Sequence, residues 1–410
     1  MACCIAAPQA NWAQQQNPFC TGPNCDRTRE LLKNLCDYIV KEKANFSTIY
    51  IGGYYMRTLV AGYEIFGDKQ YLDSAIAYGD SLLASQMPNG FWRTGYGPVY
   101  MADTGSALGL FAVLYKHVDP ARQHAYLNAA QHYVDSIQKN GMIHPSGAFG
   151  TGWRKTDGNT LETPLYDQYT LSSALTGGEI FTWMYHLTGK NEYREIAHNA
   201  LAWDLSTMRA DGNIPHILAE EGEDWDKRDD PKMADKLYNT HTYGASAYVG
   251  EGVLSFDLYC GKRSWQKWIE KAVKPNIEFL LRNQLPNGTW SQLARNSWDR
   301  TRSVGIVDYL IWYYEHVHRD PRIAQAVQRW DAYILNPEND KAYGLLNAGA
   351  DPAANDRSNS FNTATALTGR ALADILSPGV DARWEPAHRQ MKDRDDARPG
   401  PVRQISCIAA

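Results

Sequence analysis

The chain has 410 residues, of which 44% are hydrophobic and 21% are charged. This composition supplies a large core and excludes a globally disordered protein. The formal net charge of −5 argues against a nucleic-acid-binding protein that relies on overall positive charge. No apolar run approaches the roughly 18 residues that a membrane-spanning helix needs, so we predict no membrane span. Trp, Tyr and Phe make up 12% of the chain, which suits a core with ring-lined grooves.

The two ends of the chain differ from its centre. We expect an N-terminal extension over residues 1–25 and a polar, Pro- and charge-rich tail over residues 377–410. The extension contains Cys20 and Cys25, which are spaced to form a small disulfide in an oxidising compartment or to remain free thiols. Residues 1–16 lack the basic and apolar regions of a full signal peptide.

Between the ends, helical periodicity recurs in pairs. The first helix of each pair is amphipathic, and the second is rich in Gly, Ala, Ser and aromatic residues with few charges. An amphipathic helix lies on the outside of a bundle, whereas a helix with few charges on any side is buried. The predicted outer helices are 26–43, 69–86, 121–139, 190–209, 263–283 and 320–335, and the predicted inner helices are 50–66, 100–116, 166–187, 238–259, 302–317 and 359–376.

Six alternating pairs predict an all-α fold, an (α/α)6 toroid over residues 26–376. The alternative is an open helical solenoid, and the small residues of the inner helices favour closure. The segments Gln86–Trp92 and Gln284–Trp290 resemble the QxxxGxW motif of terpene cyclases, which are also α/α toroids. The catalytic aspartate motif of those enzymes has its nearest match at Asp393–Asp396, in the polar tail. We therefore interpret QxxxGxW as a structural turn that connects an outer helix to the next inner helix.

Loop lengths predict where ligands bind. The connections from inner to outer helices are short, and the connections from outer to inner helices are long, covering about 87–99, 140–165, 210–237, 284–301 and 336–358. In an alternating toroid these long loops share one end with the N-termini of the inner helices. Long loops on a rigid scaffold usually carry function, and helix N-termini favour anions. We expect an acidic ligand at this end.

Rings and guanidinium groups are frequent in the long loops and at the starts of the inner helices. Exposed rings stack on the apolar faces of sugars, and Arg binds carboxylates in a bidentate manner. Trp residues that pack the loops onto the barrel beside solvated Arg residues are the alternative. The predicted substrate-binding residues are Trp92, Arg93, Tyr96, Trp153, Arg154, Lys155, Tyr166, Gln168, Tyr243, Trp298 and Arg300.

One constellation resembles a known enzyme class. Asn239, His241 and Tyr243 on one inner helix, followed by Arg302 and Tyr309 on the next, resemble the Asn, His, Tyr and Arg of α/α-toroid polysaccharide lyases. Those enzymes act on uronic-acid polymers and include alginate, glucuronan and chondroitin-type lyases. The resemblance implies β-elimination on a 4-linked uronic-acid glycan of the alginate or glucuronan type. It also implies that no cofactor or metal is needed, that an acidic polysaccharide or oligosaccharide is the partner, and that the protein is secreted or periplasmic.

The reaction explains why these residue types are needed. Elimination removes the proton at carbon 5 of the uronate and expels the oxygen at carbon 4. Asn239 and Arg302 are the candidates to neutralise the carboxylate and stabilise the developing anion. Neutral His241, or a Tyr whose pKa a nearby Arg lowers, takes the proton. Tyr309 or Tyr248 protonates the leaving oxygen. Tyr309 follows Arg302, and Tyr248 follows His241, by seven residues, so each pair shares a helix face.

Two other functions fit parts of the same pattern. A glycoside hydrolase on an acidic or unsaturated uronide glycan needs two carboxyl groups at the scissile bond. Asp103 and Asp167, both at the start of an inner helix, form the candidate pair, and Glu179, Glu251 and Asp308 are further inner-helix acids. A non-catalytic glycan-binding toroid would use the same rings and arginines without a His/Tyr pair.

Overall fold

A computed structural model of the chain describes residues 17–42, 49–93, 99–166, 168–214, 244–260, 266–290, 297–336 and 359–378. Within these ranges twelve helices alternate between an outer and an inner layer, as predicted. The predicted extension and tail lie largely outside them, at residues 1–16 and 379–410. None of the helices described is both long and apolar enough to cross a bilayer.

Three of the outer helices begin where the sequence supplies an Asp helix cap. Asp68, Asp119 and Asp320 each accept a hydrogen bond from a backbone N–H in the first turn of the helix that follows, which satisfies a donor that the helix itself cannot pair. The outer layer consists of α1 (Pro23–Glu42), α3 (Lys69–Ala84), α5 (Pro120–Lys139), α7 (Asn191–Ser206), α9 (Gln266–Trp268, π-helical Ile269–Val273 and Lys274–Arg282) and α11 (Pro321–Ile334).

The inner helices form a closed ring, which confirms the toroid over the open solenoid. Each packs against the next, and α12 packs against α2. Glycines permit this close approach: a Cβ at Gly105 would lie 2.6 Å from Thr176 Oγ1, and one at Gly252 would lie 2.8 Å from the Ala174 carbonyl oxygen. The inner layer consists of α2 (Ile49–Phe66), α4 (Met101–Leu114), α6 (Thr170–Ser172, π-helical Ser173–Ile180 and Phe181–Thr188), α8 (Gly244–Cys260), α10 (Ser297–His316) and α12 (Asn359–Leu376).

A small antiparallel sheet occupies part of the region that the sequence predicts as long loops. It consists of β1 (Val99–Tyr100), β2 (Gly152–Thr156) and β3 (Leu161–Leu165), in the order β1-β2-β3. The Met101 N–H, at the start of α4, donates to the Thr151 carbonyl oxygen at 3.0 Å. The sheet therefore lies at the inner-helix N-termini, at the end predicted to bind ligands. Strands of two to five residues are too short to leave a clear period-2 pattern.

One five-residue turn recurs after four of the outer helices. In each copy the first N–H donates to the fifth carbonyl oxygen at 2.7–2.8 Å, and the third side chain accepts from the fifth N–H. The fourth residue is a glycine with φ between +89° and +94°, and its Cβ position is filled by the backbone of the next outer helix. Only glycine satisfies both conditions. The copies are Met87–Phe91, His144–Ala148, Arg209–Asn213 and Leu285–Thr289.

Two copies of the turn carry the QxxxGxW motif. Gln86 Nε2 donates to the carbonyl oxygen of Ala129 in α5 at 2.9 Å, and Gln284 Nε2 donates to that of Ala326 in α11 at 2.8 Å. The indole of Trp92 donates at 2.7 Å to a carbonyl in the last turn of α3. The motif thus joins neighbouring outer helices, and it also contacts an inner helix, since the Trp92 ring packs against Phe111 of α4 with centroids 6.4 Å apart.

Candidate active site in the toroid lumen

Charged side chains from five inner helices meet inside the ring. We call this group the lumen cluster: Tyr54 and Arg57 of α2, Glu179 of α6, Glu251 of α8, Asp308 of α10 and Arg370 of α12. All six are buried. Because an unpaired charge is costly to bury, such a group is stable only if its members neutralise one another.

The pairing within the lumen cluster crosses the ring. Arg370 contacts Glu251 at 2.7 Å and Asp308 at 3.7 Å. Arg57 lies 3.6 Å from Glu179 and 3.7 Å from Glu251. Since α2 and α8 stand three positions apart in a ring of six, the contact between Arg57 and Glu251 spans the lumen. Side chains therefore fill the lumen at the level of the lumen cluster.

Tyr54 lies at the centre of these charges. The Arg57 and Arg370 guanidiniums lie 5.2 and 5.5 Å from its ring centroid, and its hydroxyl donates to Glu251 at 3.3 Å. Burial, then the charge of Glu251 and then Tyr248 raise the pKa of Tyr54 well above its usual value. Its hydroxyl therefore stays protonated and acts as a hydrogen-bond donor.

Two predicted catalytic residues are described with their side chains. Tyr248 is buried, precedes Glu251 by about one turn of α8, and is close enough to Tyr54 to influence its pKa, so the fold brings it to the lumen cluster. Tyr309 is also buried, between α10 and α8, where its ring fills the space beside Gly250 and stacks on Trp312 at 5.8 Å.

The Tyr309 hydroxyl has an unusual environment. It is buried and has no hydrogen-bond partner among the described residues. Burial raises the pKa of Tyr309 far above its usual value. A protonated phenol of this kind has an unused donor.

Other predicted site residues are described only in part or not at all. Arg302, Trp298 and Arg300 lie in α10 and Lys155 lies in β2, but their side chains are outside the described part of the structure. The residues wholly outside the described ranges are Asn239, His241, Tyr243, Tyr96 and Asp167.

The expectation that Trp92 and Trp153 expose their rings to a ligand is wrong. Both are buried, at 0% and 2% exposure. Trp92 anchors the turn described above, and Trp153 packs edge-on against Phe91 at 4.7 Å. An indole buries more apolar area than any other side chain, so loop packing takes precedence over exposure here.

Four other predicted binding residues remain accessible at the inner-helix N-termini. Arg93 and Arg154 are exposed, and Tyr166 is 51% exposed. Gln168 is half-buried and donates to Ser146 Oγ at 3.0 Å. Asp103, at the start of α4, is also half-buried. In the described ranges, no three His, Cys, Asp or Glu side chains are grouped so that they could hold a metal ion.

The lumen cluster was not predicted as a unit. From the sequence, its three acids are candidates only for hydrolysis, and Arg57 and Arg370 belong to none of the predicted site residues. The signal available in the sequence is that each of these arginines stands in an apolar inner helix with a single other charged residue, Glu64 in α2 and Asp374 in α12. A guanidinium buried in such a helix requires a carboxylate partner.

Comparison with known proteins identifies the architecture. No protein-family model matches the chain, and no curated protein matches it in sequence. Among solved structures, a polysaccharide lyase superimposes with a TM-score of 0.57 at 15% identity, covering 86% of this chain and 98% of that one.

Two further structures superimpose equally well. A possible member of glycoside hydrolase family 105 from Salmonella enterica gives a TM-score of 0.57 at 13% identity, covering 85% of this chain and 94% of that one. A type II terpene cyclase from Scytonema gives a TM-score of 0.56 at 12% identity, covering 86% of this chain and 99% of that one. At these identities the likeness establishes the fold, and the chain is an α/α toroid of the kind found in these three classes of enzyme.

Proposed function

We propose that this protein is a carbohydrate-active enzyme that cleaves an acidic polysaccharide by β-elimination at a 4-linked uronic acid of the alginate or glucuronan type. The observation that carries the proposal is the position of Tyr309, a buried tyrosine whose hydroxyl has no hydrogen-bond partner among the described residues. Such a group suits the donation of a proton to the leaving oxygen. The toroid shared with a polysaccharide lyase supports the same class of reaction.

Tyr248 and Tyr309 lie on adjacent inner helices and supply the acid in this proposal. Tyr309 follows Arg302 by two helical turns, and Tyr248 follows His241 by the same spacing. Burial raises the pKa of Tyr309, so its hydroxyl keeps its proton near neutral pH and does not act as the base. The base is therefore His241, while Asn239 and Arg302 bind the uronate carboxylate and stabilise the anion formed when the carbon-5 proton leaves.

The pairing of the lumen acids bears on whether they can serve as the acid of a hydrolase. Hydrolysis needs a carboxylic acid that can give its proton to the leaving oxygen. Among the described residues, the three lumen carboxylates Glu179, Glu251 and Asp308 each lie within 3.7 Å of a guanidinium nitrogen. An ion pair with Arg requires the charged carboxylate, so these groups are poor candidates for the acid.

We also propose a secreted or periplasmic location. Cys20 and Cys25 form a disulfide, and disulfides persist mainly in oxidising compartments. An extracellular polysaccharide substrate agrees with the same compartment.

The test is incubation with a panel of alginate, glucuronan, pectate and glycosaminoglycans, without added metal. Elimination is followed by the ultraviolet absorbance of the new C4–C5 double bond. We expect absorbance to rise with at least one polymer and to be lost in His241→Ala and Tyr309→Phe. Tyr126→Phe is the matched control, since Tyr126 also has a buried hydroxyl without a described partner but lies on α5 in the outer layer. No absorbance with any of these polymers contradicts the proposal.

A hydrolase is the second candidate, because one of the superimposed structures is a possible member of glycoside hydrolase family 105. Its acid would be Asp103, at the start of α4, with Asp167 as the partner. New reducing ends without ultraviolet absorbance, lost in Asp103→Asn, would establish hydrolysis in place of elimination.

A further inference from the structure

The first described segment of the chain contacts the last three helices of the ring. We call residues 17–28 the N-terminal clasp. Asn17 Nδ2 donates to the carbonyl oxygens of Ile375 at 2.8 Å and Leu376 at 3.2 Å, at the end of α12. Gln328 of α11 donates to the Pro18 carbonyl oxygen at 2.6 Å. The two Asn17 bonds satisfy carbonyls at the end of α12 that have no partner within the helix.

Apolar and polar contacts extend the clasp to α10 and along α11. Phe19 is 1% exposed and packs edge-on against Tyr314 of α10, with ring centroids 5.1 Å apart. Thr28 donates to the buried Asp331 carboxylate of α11 at 2.9 Å. The clasp therefore lies at the seam where the beginning and the end of the ring meet.

A disulfide between Cys20 and Cys25 stands inside the clasp. It follows Phe19 directly and includes the first residues of α1 in its loop. The four residues between the cysteines are exposed, and both cysteines are half-buried. A small dithiol in solution can therefore reach the sulfurs.

We propose that the Cys20–Cys25 disulfide makes closure of the ring sensitive to redox state. A dithiol reduces the bond by transferring two electrons and two protons, which gives two cysteine thiols and converts the dithiol into a disulfide. Without the bond, the segment has more conformations available when it detaches from the ring, so detachment of Asn17 and Phe19 from α12 and α10 becomes more favourable. Because Arg370 precedes Ile375 by only five residues in α12, loosening of this helix end reaches the lumen cluster.

The test compares the oxidised and dithiothreitol-reduced protein, with the state of Cys20 and Cys25 verified by alkylation and mass spectrometry. We expect reduction to lower the thermal midpoint by about 2–5 °C. We also expect faster hydrogen exchange in peptides covering residues 17–28 and 367–378. Dithiothreitol should change neither measurement in the Cys20→Ser/Cys25→Ser double variant, which should already resemble the reduced protein.

Asn17→Ala tests the connection to α12 with the disulfide intact. We expect it to speed exchange at residues 367–378 about fivefold. The control is Asn140→Ala, which removes an equivalent bond from an Asn side chain to a helix carbonyl at the end of α5 and should leave α12 unchanged. The proposal is overturned if reduction speeds exchange only within residues 17–28. It is also overturned if the double variant responds to dithiothreitol as the natural chain does.

Discussion

Replacement of Tyr309 by Phe is the most informative single change in this protein. The substitution removes one oxygen and leaves the ring, which still fills the space beside Gly250 and stacks on Trp312 at 5.8 Å. The Tyr309 hydroxyl has no hydrogen-bond partner among the described residues. The folded protein therefore bears the cost of removing a hydroxyl from water without a compensating bond.

The cost of burying the Tyr309 hydroxyl without a partner sets the change in stability expected for Tyr309→Phe. A buried polar group left without a partner destabilises a protein by about 1–3 kcal/mol. We therefore expect Tyr309→Phe to be about 1–2 kcal/mol more stable than the natural chain. The same gain is expected for Tyr126→Phe, whose hydroxyl is equally unpartnered and whose ring stacks on Phe111 at 4.4 Å.

Urea denaturation measures the gain as a higher midpoint at unchanged m-value, and activity is measured on the same preparations. Tyr309→Phe should be more stable and inactive, whereas Tyr126→Phe should be more stable and active. A loss of stability in Tyr309→Phe would show that its hydroxyl has a partner and would refute the reasoning. A stable and fully active Tyr309→Phe would show that the hydroxyl takes no part in turnover.

Three further changes test the packing and the charges. Arg370→Met removes a guanidinium 2.7 Å from Glu251 and 3.7 Å from Asp308, two buried carboxylates, and should cost about 3–5 kcal/mol in urea denaturation. Arg322→Met, in an exposed ion pair, should cost less than about 1 kcal/mol. Burial raises the pKa of Asp204, whose carboxylate has no described partner. The destabilisation caused by burying the Asp204 charge is absent below about pH 4, which is the pKa of an Asp side chain in the unfolded protein. It grows as the pH rises from there toward the pKa of Asp204 in the folded protein. The stability of Asp204→Asn relative to the natural chain should therefore increase from pH 4 to pH 8, and a constant difference would contradict this. Gly288→Ala should lower the free energy of unfolding by more than about 2 kcal/mol, because the added Cβ meets the α11 backbone. Gly189→Ala also places a side chain at positive φ but in open space, and should lower it by only about 1 kcal/mol. Equal losses in the two variants would contradict the packing argument.

The ring was predictable because its signal is repeated along the whole chain. The alternation of amphipathic and weakly charged helices assigns each helix to the outer or the inner layer. Asp residues such as Asp119 and Asp320 mark where outer helices begin. The QxxxGxW motif marks only two of the four copies of the recurrent turn, since His144–Ala148 and Arg209–Asn213 lack its Gln and Trp. What they share is backbone geometry and one glycine, which is too little to detect in a single sequence.

The lumen was less predictable, because it depends on contacts between distant helices. Glu251 and Arg57 stand almost two hundred residues apart, and periodicity does not indicate that α2 and α8 face each other across the ring. The prediction that Trp92 and Trp153 bind a ligand through exposed rings is wrong for a related reason. Aromatic residues in long loops are compatible both with binding and with packing, and only the position of Trp92 beneath its turn distinguishes the two.

The measurement that tests the proposed reaction most directly is the mass of the oligosaccharides released from alginate or glucuronan. Elimination breaks the glycosidic bond without adding water, so the new non-reducing end is unsaturated and the fragment is lighter by one water than the product of hydrolysis. We predict such unsaturated fragments, and their absence from digests with His241→Ala. Fully hydrated fragments would contradict elimination and favour hydrolysis, and intact polymers throughout the panel would contradict cleavage of uronic-acid glycans.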